Sequence, residues 1–182
     1  MAIENEIKLR IPDAARGRKL IDGLGFTVLH ERIHEMNIVC DTSDGALREK
    51  GGLLRVRTAG EKNTVTFKGR AQQSAHKTRE EIEFTASDAG AVLRIFENLG
   101  FHPVFRYEKY RTEFSRAGRQ GIVTLDETPI GCFLELEGPA EWVDATAREM
   151  GFSAADYIKD SYGALYVEYC SAQGTRPSDM TF

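Results

Sequence analysis

The chain has 182 residues, 28 acidic and 24 basic, for a net charge of −4. That length suits one domain with a core of its own, and the slight acidic excess argues against a nucleic-acid coat or a polybasic membrane anchor. Hydrophobic residues at 41% against 29% charged mark a folded chain, and no apolar run approaches the roughly 20 residues of a membrane span.

The opening residues alternate: Ile3, Ile7 and Leu9 share one parity, Glu4, Glu6, Lys8 and Arg10 the other. This predicts a half-buried strand and not a secretory leader. Pro12 and Asp13 then open a helix carrying Leu20, Ile21 and Leu24, with Asp13 as N-cap and Gly25 as its stop. Residues 27–40 read as a long or bent strand, and Thr42-Ser43-Asp44-Gly45 as a turn. Leu53–Thr58 and Asn63–Lys68 form a hairpin around a Gly-containing loop. Gly69–Lys77, which includes His76, is polar and reads as a surface loop.

Thr78–Thr85 alternates again, with Arg79, Glu81 and Glu83 opposite Ile82 and Phe84. Ser87 is expected to cap a helix with Val92, Phe96 and Leu99 on one face. Phe105–Phe114, Ile122–Glu127 and Cys132–Glu137 are strands, the first pair turning at Ala117-Gly118-Arg119-Gln120. One helix is expected over about Glu141 to Met150 and a last one over about Ala154 to Cys170. The expected organisation is a single domain over 1–170 with a flexible tail over 171–182. Cys40, Cys132 and Cys170 are odd in number and far apart, so they form no zinc spacing or disulfide framework and suit a reducing, cytoplasmic setting.

A strand carrying E-x-E is followed by a helix and an apolar-Gly-Phe stop three times, ending at Phe26, Phe101 and Phe152. This suggests one strand–helix unit reused in a compact α+β domain. The charged parity of the strands collects Glu4, Glu6, Lys8, Arg55, Arg57, Lys68, Arg79, Glu81, Glu83, Lys109, Arg111, Asp126, Glu135 and Glu137. Two arrangements accommodate this pattern. The apolar faces can close on each other with the charges in water, or the helices can cover an apolar exterior and leave the charges inside. Same-sign neighbours at i and i+2 lie about 7 Å apart and repel, which favours the second. Clustered carboxylates are tolerated around a hard divalent cation, and clustered arginine and lysine around a polyanion.

The ordered motifs carry a resemblance. Glu4-Asn5-Glu6-Ile7-Lys8, Cys40-Asp41-Thr42, Leu54-Arg55-Val56-Arg57, Thr66-Phe67-Lys68-Gly69, Arg79-Glu80-Glu81-Ile82-Glu83, Lys109-Tyr110-Arg111, Leu125-Asp126, Glu135-Leu136-Glu137 and Lys159-Asp160-Ser161-Tyr162 together resemble the CYTH superfamily. That superfamily is named for class IV adenylyl cyclase and thiamine triphosphatase, and its members are also called triphosphate tunnel metalloenzymes. The resemblance implies a closed eight-stranded, mainly antiparallel β-barrel with helices outside and a charged tunnel inside. It implies Mg²⁺ or Mn²⁺ held by Glu4, Glu6, Asp126, Glu135 and Glu137. It also implies a triphosphate held by Lys8, Arg55, Arg57, Lys68, Lys109 and Arg111, with Arg79 a further candidate and Lys159, on the last helix, closing one mouth. Cys40 departs from the family, which usually has an aromatic there.

The implied substrate is ATP, inorganic triphosphate or thiamine triphosphate, with no nucleic-acid or membrane partner and, by analogy with short members, a homodimer. Attack of a ribose 3′-hydroxyl on the α-phosphorus would make the chain an adenylyl cyclase. Attack of water on the terminal phosphorus would make it a triphosphatase. Binding without turnover would make it a sensor. Glu81, Glu83 or a neutral Lys8 are the general-base candidates.

Overall fold

The computed structural model describes residues 2–70, 77–118 and 120–182, with the backbone alone for residues 2–4 and 77–79. The described residues form eight strands and five α-helices in the order β1 (Ala2–Ile11), α1 (Ala14–Gly23), β2 (Thr27–Asp41), α2 (Ala46–Glu49), β3 (Leu53–Ala59), β4 (Lys62–Lys68), β5 (Lys77–Ala86), α3 (Ala89–Asn98), β6 (His102–Ser115), β7 (Ile122–Thr128), β8 (Gly131–Glu137), α4 (Ala140–Glu149) and α5 (Tyr162–Gln173). The strands form one antiparallel sheet in the order β1-β5-β4-β3-β2-β6-β7-β8, and β8 also pairs with β1 from Glu6↔Glu137 to Ile11↔Cys132.

The helices decide between the two arrangements of charged and apolar faces. Ile7 and Leu9 of β1, Val123 and Leu125 of β7, and Leu134 and Leu136 of β8 pack with Ile21 of α1 and Trp142, Val143 and Ala147 of α4. These residues are the core, and burying each large aliphatic side chain contributes roughly 1.5–3 kcal/mol. The opposite parity of the same strands therefore faces the concave side of the sheet. Gly17 lets α1 lie this close: a Cβ there would stand 2.5 Å from Ile11 Cδ1 and 2.9 Å from Leu125 Cδ1.

The local stops follow from cap chemistry. Asp13 accepts the Arg16 N–H at 2.7 Å, and Gly25 turns the chain out of α1 at a φ of 73°. The cap of α3 is Asp88 rather than Ser87, because the Asp88 carboxylate reaches the Ala91 N–H at 2.9 Å. The expected helix from Ala154 is not continuous. A short 3-10 turn over Ala154–Asp156 gives way to extended chain, and α5 starts only at Tyr162 behind its cap Ser161. The cause is β1. Its pairing with β5 ends at Glu6, and the backbone of Lys8 on that side exchanges two 2.9 Å hydrogen bonds with Ile158, which holds Ile158 extended.

Two further expectations change. Ile82 and Phe84 of β5, expected to face the core, are 52% and 56% exposed, because α3 lies against β3 and β6. The segment after α5, expected as a flexible tail, lies along β6. Met180 is 1% exposed, its N–H donates to the Arg106 carbonyl, and its carbonyl accepts from Glu108 N–H, both at 2.9 Å. Ladder pairing of β7 to β6 covers only Tyr110 to Phe114, and the tail takes up backbone groups earlier in β6. Residues 71–76 of the expected loop, His76 among them, and Arg119 of the expected turn lie outside the described residues.

Candidate active site

The charged parity lines a cavity of about 520 Å³. Six bases (Lys8, Arg55, Arg57, Lys68, Lys109, Arg111) and six acids (Glu6, Glu81, Glu83, Glu113, Glu135, Glu137) account for most of its wall, with Leu53, Tyr107, Ser161 and Tyr162 completing it. Alternation sets several pairs on the wall: Glu6 and Lys8 from β1, Arg55 and Arg57 from β3, Glu135 and Glu137 from β8. The backbones of Glu4 and Arg79 face each other across the β1–β5 ladder, and their side chains lie outside the described set.

One cluster centres on Asp126, which is fully buried. Arg111 grips it bidentately, Nε to Oδ1 at 2.7 Å and Nη2 to Oδ2 at 2.6 Å. Lys109 Nζ and the Tyr162 hydroxyl also donate to Oδ2, at 2.8 and 2.7 Å. Burial alone would raise the Asp126 pKa, but Arg111 and Lys109 together hold it far below the usual carboxylate range. Asp126 was expected among the metal-side acids. In this geometry both its oxygens are already engaged, and it acts as the internal counter-charge of two bases.

A second cluster joins Lys8 to Glu6 at 3.3 Å and to Glu135 at 3.5 Å. Burial works to lower the Lys8 pKa, but Glu135 and Glu6 outweigh it and the net shift is upward. With Glu6 and Glu135 as its neighbours Lys8 is held as the ammonium cation. Glu137 behaves oppositely: although the residue is exposed, desolvation of its carboxyl by the surrounding wall, then Glu135 and Glu6, push its pKa up against the pull of Lys68. Glu6 and Glu137 are direct neighbours across the β1–β8 ladder.

The basic wall has its own order. Arg55 donates to Thr66 Oγ1 at 3.1 Å, and Thr66 donates to Glu83 at 3.0 Å. Lys68 pairs with Glu81 at 3.2 Å. Arg57 donates through Nε to Asn37 Oδ1 at 2.9 Å and lies 3.1 Å from Glu35. Burial and the adjacent Arg55 lower the Arg57 pKa, as expected of a guanidinium crowded by cations with room for more negative charge. Glu35, 3% exposed, bridges Arg57 and Lys109 from β2.

The cavity thus brings together Glu6, Lys8, Arg55, Arg57, Lys68, Glu81, Glu83, Lys109, Arg111, Glu135 and Glu137 of the expected set. Lys159 is not brought in. It is exposed and lies before α5, not on it, and Ser161 and Tyr162 take the lining positions. Sequence reading missed Tyr107 and Glu113, although both share the parity of Lys109 and Arg111. It also missed Glu35 and Asn37, because register shifts between Val28 and Ile33 obscure the alternation of β2.

No three described His, Cys, Asp or Glu side chains converge as a ready-made cation cage. The donor set of Glu6, Glu135 and Glu137 nonetheless fits a hard divalent cation. It is oxygen-only, and after desolvation the like charges of Glu135 and Glu6 raise the Glu137 pKa further, a crowding that such an ion would relieve. No helix among the described residues is long and apolar enough to cross a membrane.

Comparison with known proteins finds relatives over most of the chain. A Methanocaldococcus jannaschii protein described as a candidate adenylate cyclase is 33% identical over 135 residues, 74% of this chain and 76% of the relative. Among solved structures, a candidate adenylate cyclase from Vibrio parahaemolyticus superposes with a TM-score of 0.76 at 20% identity, covering 90% of this chain and 97% of that one. The Hippeastrum protein HpAC1, a candidate adenylyl cyclase for which a dominant triphosphatase activity is stated, reaches 0.65 at 18% identity over 97% and 98%. The CYTH domain model matches residues 2–162, and the chain belongs to the CYTH domain family.

Proposed function

We propose that this chain is a divalent-metal-dependent enzyme that binds a triphosphate in the charged cavity and cleaves it. The observation that carries the reading is a cavity walled almost wholly by charged side chains of both signs. Arg55, Arg57, Lys68, Lys109 and Arg111 offer donors for phosphate oxygens, and Glu6, Glu135 and Glu137 offer a carboxylate group for Mg²⁺ or Mn²⁺. The ladder between β1 and β8 supports reading the sheet as a closed barrel with this cavity as its channel. A bound Mg²⁺ or Mn²⁺ would supply neutralisation of phosphate charge and polarisation of a phosphoryl oxygen. The chain's own residues hold and neutralise the phosphates, which is most of what phosphoryl transfer demands. Lys8 serves as a fixed cation between Glu6 and Glu135. Glu81 and Glu83 on β5 remain the groups able to accept a proton from the nucleophile.

The finer reading is class IV adenylyl cyclase-like conversion of ATP to cyclic AMP and pyrophosphate, supported by the description of the archaeal relative. The second reading is hydrolysis of inorganic triphosphate or an organic triphosphate such as thiamine triphosphate. It is favoured by the lining, which is charged along its length and presents Tyr107 and Tyr162 as its aromatic rings. One experiment separates them: purified protein with Mg²⁺ or Mn²⁺ is given ATP, inorganic triphosphate and thiamine triphosphate, and cyclic AMP, pyrophosphate and phosphate are quantified together. Cyclic AMP with stoichiometric pyrophosphate establishes the cyclase. Phosphate without cyclic AMP establishes the triphosphatase. Neither product from any substrate overturns the enzyme reading and leaves a binding protein.

A further inference from the structure

We propose that Tyr107 is a substrate-contacting residue of the cavity whose phenol must be protonated for the triphosphate to bind, making affinity pH-dependent through this one hydroxyl. The inference rests on the triphosphate reading above and adds a residue to it.

Tyr107 lies on β6 two positions before Lys109, so its side chain joins the same wall. It is 7% exposed, its ring stacks on Phe105 at 5.7 Å between centroids and meets Tyr162 at 6.4 Å, and its backbone carbonyl accepts from Asn37. Those contacts fix the ring and leave the hydroxyl at the basic wall. There its oxygen accepts from Arg55 Nη1 at 3.3 Å. With a lone pair engaged by Arg55, the phenol retains one O–H to donate, and the anion nearest to receive it in a loaded site is a phosphate oxygen.

The same placement sets the competition. The charged groups facing the hydroxyl are Arg55 and Arg57 from β3 and Lys109 from β6, with Glu35 of β2 tempering Arg57 and Lys109. α5 contributes the Tyr162 ring and the C-terminal segment Met180, neither of them charged. Burial works to raise the Tyr107 pKa, yet the three cations outweigh it and bring it to about 8. A phenolate here neutralises part of the charge that a phosphate would use, and it cannot donate to a phosphate oxygen. The phosphates and the phenolate therefore exclude one another, and by linkage a bound triphosphate must raise the Tyr107 pKa.

The test uses metal-free protein, so that nothing turns over, and inorganic triphosphate as the probe. Calorimetric affinity is measured at pH 7 and pH 9 for wild type and Tyr107→Phe. The alkaline tyrosinate absorbance is recorded with and without triphosphate. Ionisation near pH 8 predicts that the ratio of wild-type to Tyr107→Phe affinity falls about tenfold between the two pH values. It also predicts one tyrosine titrating near pH 8 that is absent in Tyr107→Phe and moves upward when triphosphate is added. A constant affinity ratio, or a tyrosinate titration that triphosphate does not move, overturns the role of Tyr107 while binding itself leaves the triphosphate site standing. No triphosphate binding by wild type at either pH, with Arg57→Ala indistinguishable from it, overturns both readings together.

Discussion

Replacing Asp126 with Asn should destabilise the metal-free protein, and the sign of that change separates two roles for the residue. Asp126 receives four hydrogen bonds, two from Arg111 and one each from Lys109 and Tyr162, at 2.6–2.8 Å and with no exposure to solvent. Asn keeps the shape and removes the charge. Arg111 retains Glu135 at 3.2 Å and Lys109 retains Glu35 at 3.6 Å, but both lose their closest counter-ion. Removing one partner of a buried ion pair costs about 3–5 kcal/mol. For a chain of this length that corresponds to a fall in Tm of about 6–20 °C, a large share of a typical stability of about 5–15 kcal/mol. The assay is urea and thermal unfolding in chelator, from pH 8 down to pH 3. Because the Asp126 pKa is lower folded than unfolded, its contribution is fully present above about pH 4 and is lost as pH falls through the folded value. The difference between wild type and Asp126→Asn should therefore be constant from pH 8 to pH 5. A carboxylate reserved for metal behaves in the opposite way, since neutralising it relieves repulsion when no metal is present. Unchanged or raised stability of Asp126→Asn would refute its assignment as counter-charge.

Glu137→Gln provides the contrast: metal-free stability should be unchanged or slightly raised and metal-dependent turnover lost, checked by unfolding and product assays on the same preparation. Since the Glu137 pKa is higher folded than unfolded, the metal-free wild type should gain stability as pH falls through that folded value, and Glu137→Gln should lack this gain. Arg57→Ala should weaken triphosphate binding at least tenfold and monophosphate binding much less, measured by calorimetry, because the extra charge of the longer anion is what the crowded cations lack. Gly17→Ala should cost about 1–3 kcal/mol by denaturant unfolding without changing triphosphate affinity, because its Cβ would meet Ile11 and Leu125 on the face opposite the cavity.

Much of the inner wall was legible because β1, β3 and β8 alternate without interruption. Two-residue periodicity assigns Glu6, Lys8, Arg55, Arg57, Glu135 and Glu137 to one face once the other face is known to be apolar. Periodicity alone left open which face turned inward, and it was the helices covering Ile7, Leu134 and Leu136 that decided it. The misses have physical causes. β2 carries register shifts that break its alternation, so Glu35 and Asn37 were invisible as wall residues. Ile82 and Phe84 follow a buried-strand pattern, yet among the described residues no helix covers them; a pattern records which residues could be buried, not whether a cover exists. Helix spacing over residues 154–170 ignored a competing backbone partner, Lys8, whose unpaired groups hold Ile158 extended and delay α5 until Tyr162.

The delay of α5 matters for the site. A helix running straight from Ala154 would carry Ser161 and Tyr162 about two turns from its start. Held back by the Ile158 bridge, α5 instead begins at the cavity, and its first residue places a phenol on Asp126 and a ring 5.4 and 5.1 Å from Lys8 and Lys109. The Tyr162 pKa is driven well above the ordinary phenol value, chiefly by burial and by Asp126, so Tyr162 remains a neutral donor. Tyr107, facing Arg55 and two further cations, is driven the other way. Two tyrosines within 6.4 Å thus carry opposite electrostatic assignments. The anion beside Tyr162 is built in as Asp126, whereas Tyr107 stands beside cations that Glu35 only partly offsets. That asymmetry fixes where negative charge is still wanted: on the Arg55–Arg57 side of the cavity, away from the Asp126 cluster. Phosphate should therefore contact Arg55 and Arg57 before Arg111.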